Sequence, residues 1–346
     1  YVNPETDAAH CCGHHAQMAG IFGAALALTV PEIAEKLGGQ VVFFATPAEE
    51  YGEIEFKNQL REQGKIRYGG GKCELIRTGA FDDIDLCLAH HIQPGDEIQV
   101  GSGTGNGFVS KVIRYLGKAA HAAGAPDKGV NALSAASLGL QALGLNRETF
   151  RDEDCVRVHP IITKGGNLVN VIPDEIVIET LVRAKTIEAF TDAAKKTDRS
   201  FQAGAVAMGA KVEITTLPGY LPTLAEQALP ELKRAAELAA PEVPVREAAG
   251  HSGGSTDVGD VQHLMPVYTF NTGGVRGGLH QINFEVTNEE EAYIDTAKMF
   301  ALAAYGLLKE KAARSKELVK NYKPVFKDSA EYTKFMEQFD SKEVLD

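Results

Sequence analysis

Candidate metal-binding side chains occur in four short segments of the chain. These segments contain Cys12 and His14, Glu49 and Glu50, His90 and His91, and His280. A set of thiolate, imidazole and carboxylate ligands suits Zn²⁺, Mn²⁺ or Co²⁺ better than Mg²⁺ or Ca²⁺. Open α/β sheets gather ligands beyond the carboxyl ends of their strands. Because the four segments lie at the ends of predicted elements, they predict a shared transition-metal site.

Each segment also has an ordinary structural interpretation. A Glu-Glu pair usually lies on a solvated surface, and a Cys-Gly-His sequence by itself binds metal in a minority of cases. The metal hypothesis therefore depends on the coincidence of four segments at the ends of predicted elements. Composition and spacing alone leave the function open.

The elements that must position these residues have an α/β pattern. Residues 16–36, 55–63 and 288–309 are predicted helices, and residues 41–45, 84–89 and 266–270 are predicted buried strands. The apolar run at 41–45 is predicted to be a central parallel strand. Strands that alternate with helices indicate a sheet packed between helices.

The pattern changes between residues 107 and 217. The predicted order there is strand 108–116, helix 129–144, strand 155–163, strand 175–183, helix 187–208 and strand 211–216. This βαββαβ order is ferredoxin-like and predicts a small inserted domain. We therefore expect domain segments at 1–106, 107–217 and 218–310, followed by a tail at 311–346 that forms a solvated helix.

Composition excludes several classes of protein. The 346 residues carry a formal net charge of -12, which disfavours a nucleic-acid partner. No apolar run reaches the ~20 residues that cross a bilayer, and the first ten residues lack the pattern of a secretory signal. Five cysteines do not fit a secreted disulfide framework. We expect a cytoplasmic protein with no membrane contact.

Several motifs resemble one metallopeptidase family in their order along the chain. They are residues 10–14 (HCCGH), 47–50 (PAEE), 91–94 (HIQP), 117–123 (GKAAHAA), 166–174 (GNLVNVIPD), 255–260 (STDVGD) and 279–280 (LH). The family is metallopeptidase family 20, which includes carboxypeptidase G, aminoacylase and hippurate hydrolase. The first motif, which contains a cysteine, resembles that of the family's amidohydrolase subfamily. This subfamily includes indole-acetyl-amino-acid hydrolases and aminobenzoyl-glutamate hydrolase.

The resemblance implies a role for each matched residue. The metal ligands for two divalent ions (Mn, Zn or Co) are implied to be Cys12, His14, Glu50, His91 and His280. Glu49 matches the general base, which would deprotonate a metal-activated water. His121 and Asn170 match residues of a lid and dimerisation domain that reach the partner subunit's site, so a homodimer is expected. The role of Asp257, in the motif at 255–260, is left open.

The expected substrate is a small amide with a free carboxylate on the amine side. The candidates to bind that carboxylate are Asn170, Arg183 and Arg276. The guanidinium groups of the two arginines match its planar shape. The predicted function is hydrolysis of an N-acyl amino acid or an aminobenzoyl-glutamate-like substrate. The alternatives are a dipeptidase of the same fold and a truncated, non-catalytic metal-binding relative.

Two departures from the family pattern qualify the resemblance. His15 stands where an Asp or Asn is common, and Gln17 stands where a His is frequent. Neither position belongs to the implied ligand set. Relatives also carry several tens of residues before the first motif, so we expect the catalytic domain to lack its N-terminal part.

Overall fold

A computed structural model describes residues 3–6 and 8–345 of the chain. The α-helices are α1 (His14–Leu28), α2 (Pro31–Ala34), α3 (Ile54–Glu62), α4 (Gly71–Arg77), α5 (Ala132–Asn146), α6 (Ile187–Met208), α7 (Pro230–Ala239), α8 (Val258–Gln262), α9 (Thr296–Asn321) and α10 (Ser329–Met336). A π-helical turn at Glu290–Asp295 leads into α9.

The strands form two main sheets and two short pairs. They are β1 (Cys87–Ile92), β2 (Ile98–Val100), β3 (Thr104–Gly105), β4 (Gly107–Leu116), β5 (Arg157–Val158), β6 (Ile161–Lys164), β7 (Glu175–Ala184), β8 (Lys211–Pro218), β9 (Val245–Glu247), β10 (His251–Ser252), β11 (Val267–Thr272), β12 (Val275–Arg276), β13 (Glu285–Val286) and β14 (Ser341–Leu345).

The first sheet is mixed and lies between helices, as the α/β pattern predicts. Its order is β1-β11-β2-β9, with β1 parallel to β11 and β11 antiparallel to β2. Alternate residues of a strand face opposite sides. On β11, Phe270 therefore packs in a cluster with residues of α1, α7 and α9, whereas Val267 packs in a second cluster with residues of α4 and α10.

The second sheet contains the predicted βαββαβ order. Its strand order is β14-β8-β4-β7-β5, and β6 also pairs with β7. The helices α5 and α6 pack on each other and on this sheet. Asn131 starts α5 by accepting hydrogen bonds from two backbone N–H groups, and the Thr186 side chain caps α6 by accepting one. The prediction of a single strand at residues 155–163 is wrong, because this segment is divided into β5 and β6.

The prediction for residues 41–45 is wrong, because the segment is not in a strand. Val42 and Phe43 are 51% and 39% exposed, so the apolar run is not buried. No strand of the described part of the chain pairs with it, and an extended segment without a neighbour leaves its backbone groups without ladder hydrogen bonds. The next predicted strand occurs three residues later than expected, so His90 and His91 lie within β1.

The prediction of a solvated helix for the tail is also wrong. The helix α9 continues to Asn321 through an interruption at Lys309–Ala312, where Glu310, Lys311 and Ala312 have positive φ. Beyond it, Tyr332 and Met336 of α10 are buried in the core, and β14 pairs antiparallel with β8. The tail thus adds buried apolar residues to the cluster that contains Val267 of β11, and it adds a strand to the second sheet. In the described residues, no helix has the length and hydrophobicity to cross a membrane.

Candidate metal and active site

The five predicted metal ligands lie together in the structure. Three overlapping groups of side chains have ligand atoms within 4.8 Å of one another; they are Cys12, His14 and His91; Cys12, Glu50 and His280; and His14, Glu49 and Glu50. Every predicted ligand belongs to at least one group. The donor set of one sulfur, imidazole nitrogens and carboxylate oxygens fits a transition-metal site, and its shared members fit two neighbouring ions.

Gly13 is the residue that lets Cys12 and His14 face one site. Its φ is +81°, and a Cβ at this position would lie 2.0 Å from Cγ2 of Ile92. The chain can therefore turn sharply between the two side chains and enter α1 at His14. Burial, together with the carboxylate of Glu50, raises the pKa of the Cys12 thiol to about 12. A cation bound at this sulfur would counteract that effect, because metal coordination deprotonates a thiol.

The two adjacent histidines of β1 have different environments. The Nε2 atom of His91 is 3.4 Å from the Sγ atom of Cys12, and its Nδ1 atom is 2.6 Å from the carbonyl oxygen of Ile92. The Nδ1–H group donates a hydrogen bond to that carbonyl, which leaves a lone pair on Nε2 for a metal. His90 faces the opposite side, where it packs against Phe270. Burial lowers the pKa of His90 to about 3, so it is a neutral core residue.

The carboxylates of Glu49 and Glu50 are held differently. The Oε1 atom of Glu49 accepts a hydrogen bond of 2.8 Å from Oγ1 of Thr256, and its Oε2 atom is 3.7 Å from Nε2 of His14. The Oε1 atom of Glu50 instead lies between two histidines, 3.8 Å from Nε2 of His14 and 3.4 Å from Nε2 of His280. Both carboxylates thus approach Nε2 of His14, but Glu50 also approaches His280, whereas Glu49 is oriented by the neutral donor Thr256.

Two residues of the site have a backbone conformation that side chains disfavour. Ala48, directly before Glu49, has a φ of 53°, and His280 has a φ of 62°. Such a conformation costs of order 1–3 kcal/mol and persists only when its surroundings enforce it. For His280, one such restraint is the hydrogen bond of 2.7 Å from its backbone N–H to the carbonyl oxygen of Cys11.

A cavity of about 530 Å³ opens onto four of the five ligands, Cys12, His14, Glu50 and His280. Its other lining residues include Tyr51, Phe108, Leu181, Arg183, Tyr220 and Ser255. Arg183 comes from β7, lies over the ring of Phe108 and donates to the hydroxyl of Ser255 at 3.3 Å. Burial lowers the pKa of this guanidinium, and no acidic side chain of the described residues forms an ion pair with it. Its Nε atom is buried without a hydrogen-bond partner.

Four predicted site residues are absent from the cavity lining of this single chain. One is the ligand His91, which contacts Cys12, and the other three lie away from the ligands. His121 and Asn170 are exposed and belong to adjacent segments, since His121 forms a backbone bridge with Val171. Backbone N–H groups of Ala123 and Gly124 donate to Nδ1 of His121. Arg276 lies on β12 and forms an ion pair with Glu285.

Sequence reasoning did not identify Thr256, Tyr220 or Lys72 as residues around the general-base position. Tyr220 donates to the backbone carbonyl of Glu49, and Lys72 pairs with the fully buried Asp257. Thr256 and Asp257 belong to the motif at residues 255–260, which was a usable signal. Lys72 and Tyr220 carried no comparable signal, because only the fold brings them to this site.

Comparisons with known proteins identify the family to which the chain belongs. Residues 3–305 match the model of peptidase family M20/M25/M40. The chain is 28% identical over 325 residues to Xaa-Arg dipeptidase of Mus musculus, covering 91% of this chain and 67% of that protein. It is 26% identical over 231 residues to indole-3-acetyl-aspartic acid hydrolase of Enterobacter agglomerans, covering 63% of this chain and 48% of that protein.

A solved structure shows the same fold. It is a dinuclear metal binding peptidase from the M20 family of Bacillus subtilis, with a TM-score of 0.57 and 23% identity, and the match covers 86% of this chain and 73% of that chain. Because the family model spans most of the chain, the resemblance in the motifs is confirmed. The chain belongs to peptidase family M20/M25/M40 and is a metal-dependent hydrolase that acts on amide or peptide bonds.

Proposed function

We propose that the chain hydrolyses an N-acyl amino acid or an aminobenzoyl-glutamate-like amide with two divalent metal ions, Mn²⁺, Zn²⁺ or Co²⁺. The ligands would be Cys12, His14, Glu50, His91 and His280. The single observation that carries the proposal is the position of Glu49, whose carboxylate stands beside this cluster without being the shared carboxylate at its centre. Bound divalent cations supply an acidified water and polarise a carbonyl group.

Glu49 would provide the proton transfers of the reaction. Its Oε2 atom faces the cluster, so it would accept a proton from the attacking water and deliver it to the leaving amine. A metal site with only a structural or storage role would not need a second, separately held carboxylate beside it. The position of Glu49 therefore disfavours the non-catalytic alternative.

Arg183 would bind the substrate carboxylate. Its guanidinium lines the cavity, lacks an acidic partner in the described residues and retains a buried, unpartnered Nε donor. A planar carboxylate can accept two hydrogen bonds from such a fork, and Ser255 lies within its reach. N-acyl amino acids, aminobenzoyl-glutamate and dipeptides all carry this group on the amine side of the scissile bond.

A dipeptidase activity is the second candidate. It is favoured by the Xaa-Arg dipeptidase of Mus musculus, which matches 91% of this chain. The same ligands, base and carboxylate site would serve both reactions. The two activities would differ in what the acyl side of the cavity accepts.

His121 and Asn170 would act on the site of a partner subunit in a homodimer. Both are exposed, and apolar side chains of the segment that leads to Asn170 are exposed too, including Ile161 at 60% and Val169 at 103%. In the same segment, β6 pairs with β7 and with no other described strand, and all four of its residues are exposed. Exposed apolar edges of this kind are commonly covered by pairing. His121, with Nδ1 occupied by backbone donors, would present Nε2 to the developing oxyanion.

The test is a hydrolysis panel with a matched inactive control. The chain, freed of metal and reloaded with Mn²⁺, Zn²⁺ or Co²⁺, would be assayed on N-acyl amino acids, p-aminobenzoyl-glutamate and dipeptides that include Xaa-Arg. We expect hydrolysis that requires metal and is lost in Glu49→Gln. Equal turnover by the chain and Glu49→Gln would contradict the proposal, and cleavage of dipeptides alone would select the second candidate.

A further inference from the structure

A hydrogen bond from Thr256 orients the carboxylate of Glu49. The Thr256 hydroxyl donates to Oε1 at 2.8 Å, while Oε2 of the same carboxylate faces the ligand cluster. A carboxylate with one oxygen fixed has lost rotation about its last bond, so the second oxygen points in one direction. Such a restraint is useful for a general base, because proton transfer requires a defined distance and angle.

Thr256 is itself fixed by its neighbour. Asp257 is fully buried, and both of its oxygens bind the same residue, Lys72. The backbone N–H of Lys72 donates to Oδ2 at 2.9 Å, and its Nζ atom donates to Oδ1 at 2.6 Å. These two hydrogen bonds restrain Asp257 and thereby the backbone next to Thr256. Breaking the pair would be costly, because it would leave an uncompensated buried charge.

Lys72 also connects to the loop that carries Glu49. It lies in the first turn of α4, where the backbone N–H of Gly71 donates to the carbonyl of Ala48 at 3.1 Å. A Cβ at position 71 would lie 1.7 Å from the carbonyl oxygen of Pro47, so this approach requires glycine. The Lys72–Asp257 pair therefore links two supports of Glu49, namely its backbone loop and the donor to its side chain.

We propose that Thr256, fixed by the buried Lys72–Asp257 pair, is a positioning residue that aims Oε2 of Glu49 at the reacting water. This inference rests on the proposed function, because it assigns Glu49 as the base. It also gives Asp257 a role. The Asp257 carboxylate does not face the substrate cavity; it holds the backbone beside Thr256 through its salt bridge to Lys72.

The first experiment compares Thr256→Val with Thr256→Ser. Valine preserves the shape of threonine and removes the donor, whereas serine keeps the donor. Thr78→Val is the matched control, because Thr78 is an exposed residue at the end of α4. The infrared band of the Glu49 carboxylate, isolated as the difference from Glu49→Gln, reports its hydrogen bonding without turnover. The same proteins, loaded with metal, are assayed for kcat, KM and bound metal.

For Thr256→Val we expect a shifted Glu49 band and a kcat lowered by roughly 10- to 100-fold, since a small misplacement of a catalytic group has effects of this order. KM and bound metal should stay within about twofold, because a base acts on the chemical step and the valine variant keeps the ligands. Thr256→Ser should restore both the band and kcat, and Thr78→Val should change neither.

A second variant tests the support from Lys72. Lys72→Met should shift the Glu49 band in the same direction, and should add little to the shift already present in Thr256→Val, since coupled residues are not additive. An unchanged band and kcat in Thr256→Val would overturn the inference, as would loss of metal or of folded structure in parallel with kcat. If the unaltered chain hydrolyses nothing on the panel, the proposed function fails, and the infrared band alone decides whether Thr256 holds Glu49.

Discussion

The Nε2 atom of His91 lies 3.4 Å from the Sγ atom of Cys12, although 79 residues separate them along the chain. One side chain precedes α1 and the other belongs to β1. Because the contact depends on the packing of α1 beside β1, folding itself brings together two ligand types that favour transition metals.

The first prediction tests this pair. Cys12→Ala should lower the bound metal well below two ions per chain, because it removes a ligand shared by two of the three ligand groups. Metal content is measured by elemental analysis after dialysis against limiting Zn²⁺ or Mn²⁺. The adjacent Cys11→Ala is the control and should retain its metal. Equal metal content in the two variants would contradict the assignment of Cys12.

The second prediction separates the two adjacent carboxylates. Glu49→Gln should keep both ions and lose ~10²-fold or more in kcat, because the amide preserves the shape and cannot accept the proton. Glu50→Gln should lose metal first, since its Oε1 atom lies between His14 and His280. Metal titration and kinetics on the same samples distinguish the two outcomes. Near-normal kcat in Glu49→Gln would require another base.

The third prediction concerns recognition of the substrate carboxylate. Arg183→Met should raise KM by about 10- to 100-fold, because a charge-assisted, bidentate interaction is lost from a desolvated cavity. Arg276→Met is the matched control, since Arg276 pairs with Glu285 away from the cavity lining. Substrates whose carboxylate is amidated should be equally poor for the chain and for Arg183→Met. A larger effect of Arg276→Met would transfer the role to that residue.

The fourth prediction concerns action between subunits. His121→Ala and Glu49→Gln chains should each be inactive, and mixing them with subunit exchange should restore activity. A heterodimer has one site with both defects and one with neither, so an equal mixture should recover about a quarter of full activity. Each variant mixed with itself is the control. Absence of recovery despite demonstrated exchange would contradict the action of His121 on the partner's site. A monomer in analytical ultracentrifugation would contradict the homodimer itself.

The fifth prediction concerns pH and the buried Asp260. Burial raises its pKa to about 8, although Tyr332 and the backbone N–H of Leu221 donate to it. Between about pH 4 and pH 8 the folded chain holds a proton that the unfolded chain has released, so stability falls as pH rises through this window. Asp260→Asn should make the pH dependence of the melting temperature less steep, and Glu226, whose pKa burial also raises to about 8, should account for part of the slope that remains. A slope as steep as that of the unaltered chain would exclude Asp260 as its source.

Local signals allowed much of the fold to be predicted from the sequence. The helix at 187–208 was predicted with its observed bounds, since Thr186 caps its start and Gly209, with a φ of 65°, ends it. The ligand motifs were recognisable because each one is short and contiguous. Both signals depend on residues within a few positions of each other.

The errors involve contacts between distant segments. The apolar run at 41–45 resembled a strand, but a strand also needs a neighbour, which local pattern does not report. The tail appeared solvated because its charged residues are frequent, yet Tyr332 reaches Asp260 and β14 reaches β8. The restraint on Glu49 was missed for the same reason, since 207 residues separate it from Thr256.

The pairing of β14 with β8 has a consequence for how copies of the chain can assemble. A sheet with two free edges can accept a neighbour on each side and grow without limit, which is the geometry of fibres. Here β14 occupies the β8 side, and among the described strands the other side, beyond β7, ends in the short strands β5 and β6. β14 is thus the edge strand on that side, and four of its five residues are exposed. Two of them, Lys342 and Glu343, are charged, and charged side chains on an edge strand disfavour the addition of another strand. Edge pairing between copies is therefore expected on the β5 and β6 side rather than on the β14 side.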